Sequence, residues 1–274
     1  PVSLAVPFFV LAILLEVLLA KWRGMTEAYE LRDAAASLLM GLGNFVQGLL
    51  LGSALYAATA WAYQWHLFEI GYTVPAFVAI FFAEDLCYYW FHRWSHQHRV
   101  WWAAHVNHHS SQHYNLTTAL RQTWTGNIAA TWIVWLPLAL IGFPPALIAF
   151  EKGISLVYQF WIHTEQVRRM PKWFEALFNT PSHHRVHHAT NPRYLDRNYA
   201  GILIVWDKLF GTFVPEQEAD PCRYGISKNL GTFNPLKIAF HEWQAIGRDL
   251  VHARTWRERA MVLLGPPGWT ADGS

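Results

Sequence analysis

Ten of the fifteen histidines in this 274-residue chain fall into dense motifs. These are His92-Arg-Trp-Ser-His96, His105-Val-Asn-His108-His109, His163 ahead of Thr-Glu, and His183-His184-Arg-Val-His187-His188. Residues three and four apart share one face of an α-helix, so each motif aims its imidazoles at a common point. A solvated polyhistidine run would not recur at helical spacing in such distant segments. The number of donors narrows the chemistry. A structural zinc closes with four ligands and a catalytic zinc takes about three, so one zinc would leave most of these histidines without a role. Two irons of octahedral preference offer about twelve positions, and nine or ten imidazoles would leave two or three of them open for dioxygen or water. The pattern predicts a dinuclear, oxygen-activating centre whose ligands are drawn from His92, His96, His105, His108, His109, His163, His183, His184, His187 and His188.

Two of these ten are less tightly specified. His163 stands alone at the end of an apolar segment, and His183 precedes a better-spaced triplet, where it could ligate, orient a ligand or touch substrate. Asp85 follows helical spacing with Tyr88 or Tyr89, His92 and His96, about two turns deeper than the histidines. It is expected to accept a ligand N–H and fix its tautomer, the alternative being a buried acid that pairs with a neighbouring helix. Asp85 and Glu165, two residues past His163, are the carboxylates expected to act in catalysis. His66, His98, His113, His241 and His252 lie outside the spacing pattern and read as ordinary surface or interface residues. Cys87 and Cys222 are the only cysteines, which gives neither a disulfide framework nor a thiolate site.

The elements that must position these groups are membrane helices. The chain is 53% hydrophobic and 15% charged, with 16 Trp, and no Lys or Arg occurs between Arg32 and Arg93 or between Arg121 and Lys152. At about 20 apolar residues per crossing, spans are predicted near 2–20, 34–58, 73–91, 124–141 and 145–163. The fifth is the weakest, because Glu151 and Lys152 fall inside it, and Pro144-Pro145 could start a tilted or re-entrant helix, leaving four spans and a hairpin. Connections 59–72 and 142–144 lack Lys and Arg, whereas 21–33, 92–123 and 164 onward hold nearly all of them. By the positive-inside rule the basic side, which carries every histidine motif, is cytoplasmic.

The expected fold is therefore one all-α integral membrane bundle of four to five spans over residues 1–274, with a helical cytoplasmic cap at 92–123 and 164–274. Residues 2–20 contain Glu16 and no usual cleavage site, and read as a retained helix. Residues 236–252 fit an amphipathic helix, lying either on the membrane or on the cap. A net charge of +2 does not suggest nucleic acid. The glycines Gly41, Gly43 and Gly48 lie in an apolar helix and ease packing rather than cradle a dinucleotide, so electrons must come from a separate donor.

At the runs YYWFHRWSH, NHHSSQHYNLTTALRQ, YQFWIHTE, NTPSHHRVHHATNPRYLDRNYAGILIVWDKLFGTF and the later GTFNP and GPPGW, the chain resembles the fatty acid hydroxylase/sterol desaturase superfamily, in its ether-lipid-cleaving branch. The resemblance is close over roughly 84–235 and looser before it, where YELRDAAASL is similar. It implies an all-helical membrane fold and a di-iron site on the cytoplasmic face. It further implies hydroxylation of an ether lipid at the carbon beside the ether oxygen, with tetrahydrobiopterin as reductant. His105-Val-Asn-His-His departs from the His-x-Thr-His-His expected of animal members. The expected partners are a membrane lipid, dioxygen and an external electron donor. Fatty-acyl, sterol or carotenoid hydroxylation or desaturation is the alternative within the superfamily, and a haem-binding electron carrier or a non-catalytic lipid-binding protein the alternative outside it.

Overall fold

The computed structural model describes residues 1–270, and among them the chain is helical, with no strand and three isolated β-bridges. Three helices are long and apolar enough to cross a bilayer: α1 (Val2–Trp22), α2 (Leu31–Tyr63) and α3 (Val74–Gln97). They expose large apolar side chains such as Leu4, Phe8, Leu18, Leu50 and Val78, surface that hydrocarbon accepts and water does not. These helices fit an integral membrane protein. Two of them start from a side-chain cap: Glu30 accepts the Asp33 N–H at the head of α2, and Thr73 accepts that of Ala76 at the head of α3. At 33 residues α2 is about 50 Å long, more than a hydrocarbon core of about 30 Å, so it projects beyond the apolar layer.

Past α3 the chain folds into two single-turn helices, α4 (Arg99–Trp102) and α5 (Val106–His109). The expected fourth span is then corrected. Residues 124–130 are turns, and helix resumes only as a 3₁₀ turn at Thr131–Trp135 continued by α6 (Leu136–Ile141). The cause is local. Trp124 donates its indole N–H to the Met40 carbonyl, Asn44 donates to the Thr123 carbonyl and Asn127 to Gln47, so this stretch is satisfied by α2 instead of by its own helix. A Cβ on Gly43 would fall 2.2 Å from the Trp124 ring, which makes that close approach possible.

The fifth expected span, α7 (Pro145–Trp161), spans 17 residues and pairs with α6 as a hairpin around Gly142. Loop residues Leu67 and Phe68 donate their N–H groups to the Leu140 and Ile141 carbonyls at the end of α6, and Gly142, with φ +127°, has no room for a Cβ against Phe68. Lys152 is housed by placing its ammonium 3.6 Å from the centre of the Trp135 ring, whose N–H is donated to Glu84. The apolar core joins this hairpin to α2 and α3 through Ala62, Ile80, Leu138, Phe143 and Leu147.

The remaining helices sit at the end of the bundle where α3 finishes. They are α8 (Lys172–Leu177), α9 (Pro181–His188), α10 (Val205–Leu209), α11 (Pro235–His252) and α12 (Trp256–Leu264). Ile238 and Ala239 pack α11 on Ala36 and Met40, in the first turns of α2, so this amphipathic helix covers the bundle's end with part of its apolar face.

Candidate metal centre

Nine of the ten predicted histidines converge into two buried groups. His92, His96, His105, His109 and His187 form one, and His108, His163, His184 and His188 the other, each with its ring nitrogens within 4.8 Å of one another. The spacing motifs are thus shared out between groups: α5 gives His109 to the first and His108 to the second, and α9 likewise gives His187 and then His184 and His188. Adjacent residues on a helix point about 100° apart, so neighbouring histidines serve neighbouring points.

Within each group the Nε2 atoms stand 3.0–3.2 Å apart: His92 to His105 to His109 to His187, and His108 to His163 to His184 to His188. Hydrogen bonding does not account for this. A neutral ring nitrogen either donates one proton or accepts at one lone pair, yet His105, His109, His163 and His184 each meet two others. Two nitrogens about 2.1 Å from one ion at a right angle would lie roughly 3 Å apart, so the spacing is that of adjacent ligands. The Nε2 of His96 is buried without a partner, again as a donor set without its ion requires.

The protonation state agrees. Burial, and then the neighbouring imidazoles, push His105, His109, His184 and His188 well below the ordinary histidine value. His108 and His187 shift the same way for the same leading cause, and burial takes His163 down to about 4. Neutral imidazoles keep the lone pair that a cation needs. The residues fit a pair of nitrogen-liking metal ions, and iron suits them.

What orients the rings differs from the sequence expectation. Asp85 touches no imidazole: its carboxylate accepts the N–H groups of Ile202, Leu203 and the Trp206 indole. It clamps the segment 196–203, and that segment meets the histidines. His92 donates Nδ1–H to the Tyr199 carbonyl at 2.8 Å, His187 donates to the Arg197 carbonyl at 3.0 Å, and the Nδ1 of His96 lies 3.3 Å from the Asp196 carboxylate. Asp196 and Asn198 both have φ near +57°, a conformation that Asp and Asn tolerate better than most residues, and it lets successive groups face one centre. Asp207 secures the same segment by accepting from the N–H groups of Tyr199 and Ala200 and the Thr212 hydroxyl; burial pushes its pKa up to about 6 against the pull of those bonds. A Cβ on Gly201 would lie 2.8 Å from Tyr88 and 3.0 Å from Asp85, so only glycine allows the clamp to close.

His183 stays outside both groups, its ring edge-on to Phe213 at 5.3 Å. Burial lowers its pKa to about 4. Glu165 is two aromatic rings removed from the second group: it accepts from Tyr224, which stacks on Tyr114 at 4.9 Å, which stacks on His163 at 5.7 Å. His66, His98, His113, His241 and His252 lie in neither group. Tyr199, Arg197, Asp196 and Asp207 were not singled out in the sequence; two of them act through backbone carbonyls, which carry no side-chain signature, and the polar Asp-Arg-Asn run was the available hint of an unusual turn.

Two buried arginines lock the histidine helices to the bundle. Arg121 donates to the Asn107 carbonyl and to Ser110 at the end of α5, and its ion pair with Asp33 reaches the first turn of α2. Arg185, held bidentately by Glu216, donates to the carbonyls of Thr164, Val167 and Arg168 and so ties α9 to the chain after His163.

Three helices long and apolar enough to cross a bilayer, with a nine-histidine double donor set at one end, fit an integral membrane protein able to hold metal. Residues 77–212, which hold all nine, match the sequence profile of the fatty acid hydroxylase family, and the chain belongs to that family. It is 38% identical over 273 residues to the alkylglycerol monooxygenase of Danio rerio and 39% identical over 272 residues to that of Homo sapiens. Both matches cover 98% of this chain, which spans 60% of the length of those relatives. An ornithine lipid hydroxylase, OlsE of Rhizobium tropici, is 28% identical over 126 residues, 46% of this chain and 38% of its own. No solved structure matches.

Proposed function

We propose that this chain is a di-iron monooxygenase of membrane lipids that hydroxylates an ether lipid at the carbon beside its ether oxygen. The observation that carries it is the convergence of nine imidazoles into groups of five and four, in a chain 38–39% identical over nearly its whole length to alkylglycerol monooxygenases. One iron is held by His92, His96, His105, His109 and His187 and the other by His108, His163, His184 and His188; His183 supports α9 and is not a ligand. The bound irons supply dioxygen reduction. A C–H bond, dioxygen, two electrons and two protons become a C–OH and water, and the hemiacetal so formed collapses to a fatty aldehyde and glycerol. The reductant is external, with a tetrahydropterin such as tetrahydrobiopterin as the proposed donor.

The chain's own residues orient and exclude. The 196–203 segment fixes three ring tautomers, Asp85 and Asp207 fix the segment, and Tyr114 and Trp102 wall the rings from water: Trp102 lies 5.0 Å from His96 and 5.7 Å from His109. The histidine end is placed on the cytoplasmic side, since the basic connections 21–33 and 92–123 lie there. Glu165 is a structural partner of Tyr224 in this reading.

The test is product analysis. Enzyme loaded with ferrous iron, given oxygen, a tetrahydropterin and a 1-O-alkylglycerol, yields fatty aldehyde and glycerol. Hydroxylated product only from an ester or amide lipid would instead favour the second reading, to which the similarity to an ornithine lipid hydroxylase points.

A further inference from the structure

We propose that the groove between α1 and α7 is the site of the substrate's hydrocarbon chain, with the lipid's polar end at Thr164 and Gln166 and the chain running along α1 toward Phe8. The identity of the lipid rests on the function proposed above; the groove itself does not. Its volume is about 440 Å³, its walls are Phe8, Leu15 and Leu19 of α1 and Phe160 and Trp161 of α7, and its upper end is closed by Thr164 and Gln166.

Three features single it out. First, Thr164, at the groove's upper end, directly follows His163, a member of the four-histidine group, so the groove adjoins the candidate metal centre. That group has one protein donor fewer than its neighbour, and leaves more room for other occupants. Second, the polarity is graded. Gln166 meets Arg23 at the rim, whereas Phe8 lies eleven residues before Leu19, about 16 Å deeper along the helix and inside the apolar layer. A single-chain lipid with its headgroup at the rim would place its first carbons beside Thr164 and the rest along α1. Third, the carboxylate of Glu16, also in the groove lining, is already occupied by donors from Tyr29, Thr164 and the Leu116 N–H. It fixes α1 against both neighbours of the second group without leaving its oxygens free to repel a hydrocarbon.

A second apolar groove of about 480 Å³, lined by Val74, Phe77, Phe81, Phe150 and Glu151, has none of these three features. Phe81 precedes His92 by eleven residues, so that groove lies about 16 Å from the histidine end of α3.

Photolabelling tests this without turnover. Iron-loaded enzyme in vesicles is irradiated with a 1-O-alkylglycerol carrying a diazirine in its chain, with and without excess unlabelled 1-O-alkylglycerol, and adducts are mapped by peptide mass spectrometry. The expected adducts fall on residues 8–19 and 160–161 and decline at least tenfold with competitor, while a phosphatidylcholine bearing the same diazirine gives no competed adducts there. Leu15→Trp lowers the competed labelling and raises KM several-fold, more than it lowers kcat, with iron content retained. Leu14→Trp, at an equally exposed residue outside the groove lining, changes neither. Adducts at Phe77 or Phe150, adducts that competitor leaves unchanged, or equal labelling by phosphatidylcholine would overturn the assignment. Competed labelling without aldehyde formation would leave the groove standing and sink the ether-cleavage reading; aldehyde formation with adducts elsewhere would do the reverse.

Discussion

The two histidine groups share α5 and α9 but draw their other rings from different elements, and they are held in different ways. In the five-histidine group, three rings are backed by one loop: Tyr199 and Arg197 offer carbonyls to His92 and His187, and Asp196 a carboxylate to His96. In the four-histidine group, His163 donates to the Gln159 carbonyl of its own helix, while the Nδ1 atoms of His108 and His184 are buried without a partner. Behind it stand the rings of Tyr114 and Tyr224 instead of a polar strip. A ring with its outer N–H engaged keeps its tautomer and aim, so the first group, with three of five rings held from behind, is set more firmly than the second, with one of four. The less firmly set group is also the one beside the α1/α7 groove.

The largest break in this comparison comes from deleting a donor in each. His105→Ala and His184→Ala should each lower activity by more than about 100-fold, beyond the 10–100-fold typical of losing an outer partner. Iron per chain, measured by elemental analysis, should fall from about two toward one in either variant, with the spectroscopic signature of a different iron surviving in each. Loss of both irons in both variants would show that the groups behave as one cluster and dissolve the distinction.

Asp85→Ala separates the groups without touching a ligand. It removes the acceptor of three donors at a fully buried site, and each unsatisfied buried donor costs about 1–3 kcal/mol. A loss of about 3 kcal/mol or more corresponds to a melting temperature lower by roughly 6–12 °C. The released loop should weaken iron in the five-histidine group by about 10-fold or more and leave the other near its original affinity. Equal weakening of both groups would mean that Asp85 acts on the whole fold and not through the 196–203 segment.

How far these arrangements were legible follows from what kind of group does the work. The histidines declared themselves by spacing, and α1, α2 and α3 by uncharged length. His163 declared itself only by sitting at the end of a span. The fourth span failed because hydropathy counts apolar residues and is blind to Thr123, Asn44 and Trp124, whose hydrogen bonds to or from α2 take the place of a helix. Asp85 was expected to accept a ligand N–H, whereas its carboxylate accepts from Ile202, Leu203 and the Trp206 indole. A carboxylate's spacing on a helix fixes its face, and it cannot disclose that a loop over a hundred residues later in the chain will lie between it and the rings. The division into five and four was not legible at all, since His108 and His109 are adjacent in sequence and separate only in space.

The finest test addresses the most exposed part of the polar strip. The Asp196 side chain is 66% exposed, so solvent screens its charge and its hold on His96 is weaker than that of the buried carbonyls on His92 and His187. Its backbone has φ +57°, which Asn adopts at less cost than Ala. Asp196→Asn therefore removes the charge while keeping the turn, and should change folding stability by no more than about 0.5 kcal/mol. Iron release to a chelator should proceed in two phases, one per group, with Asp85→Ala identifying the phase that belongs to the five-histidine group. Asp196→Asn should quicken that phase a few-fold, less than the roughly tenfold of a buried outer partner, and leave the other unchanged. Asp196→Ala adds backbone strain to the same loss of charge and should quicken the same phase further. A change confined to the four-histidine phase would mean that the strip does not divide the two groups, and that their difference lies in the donor count alone.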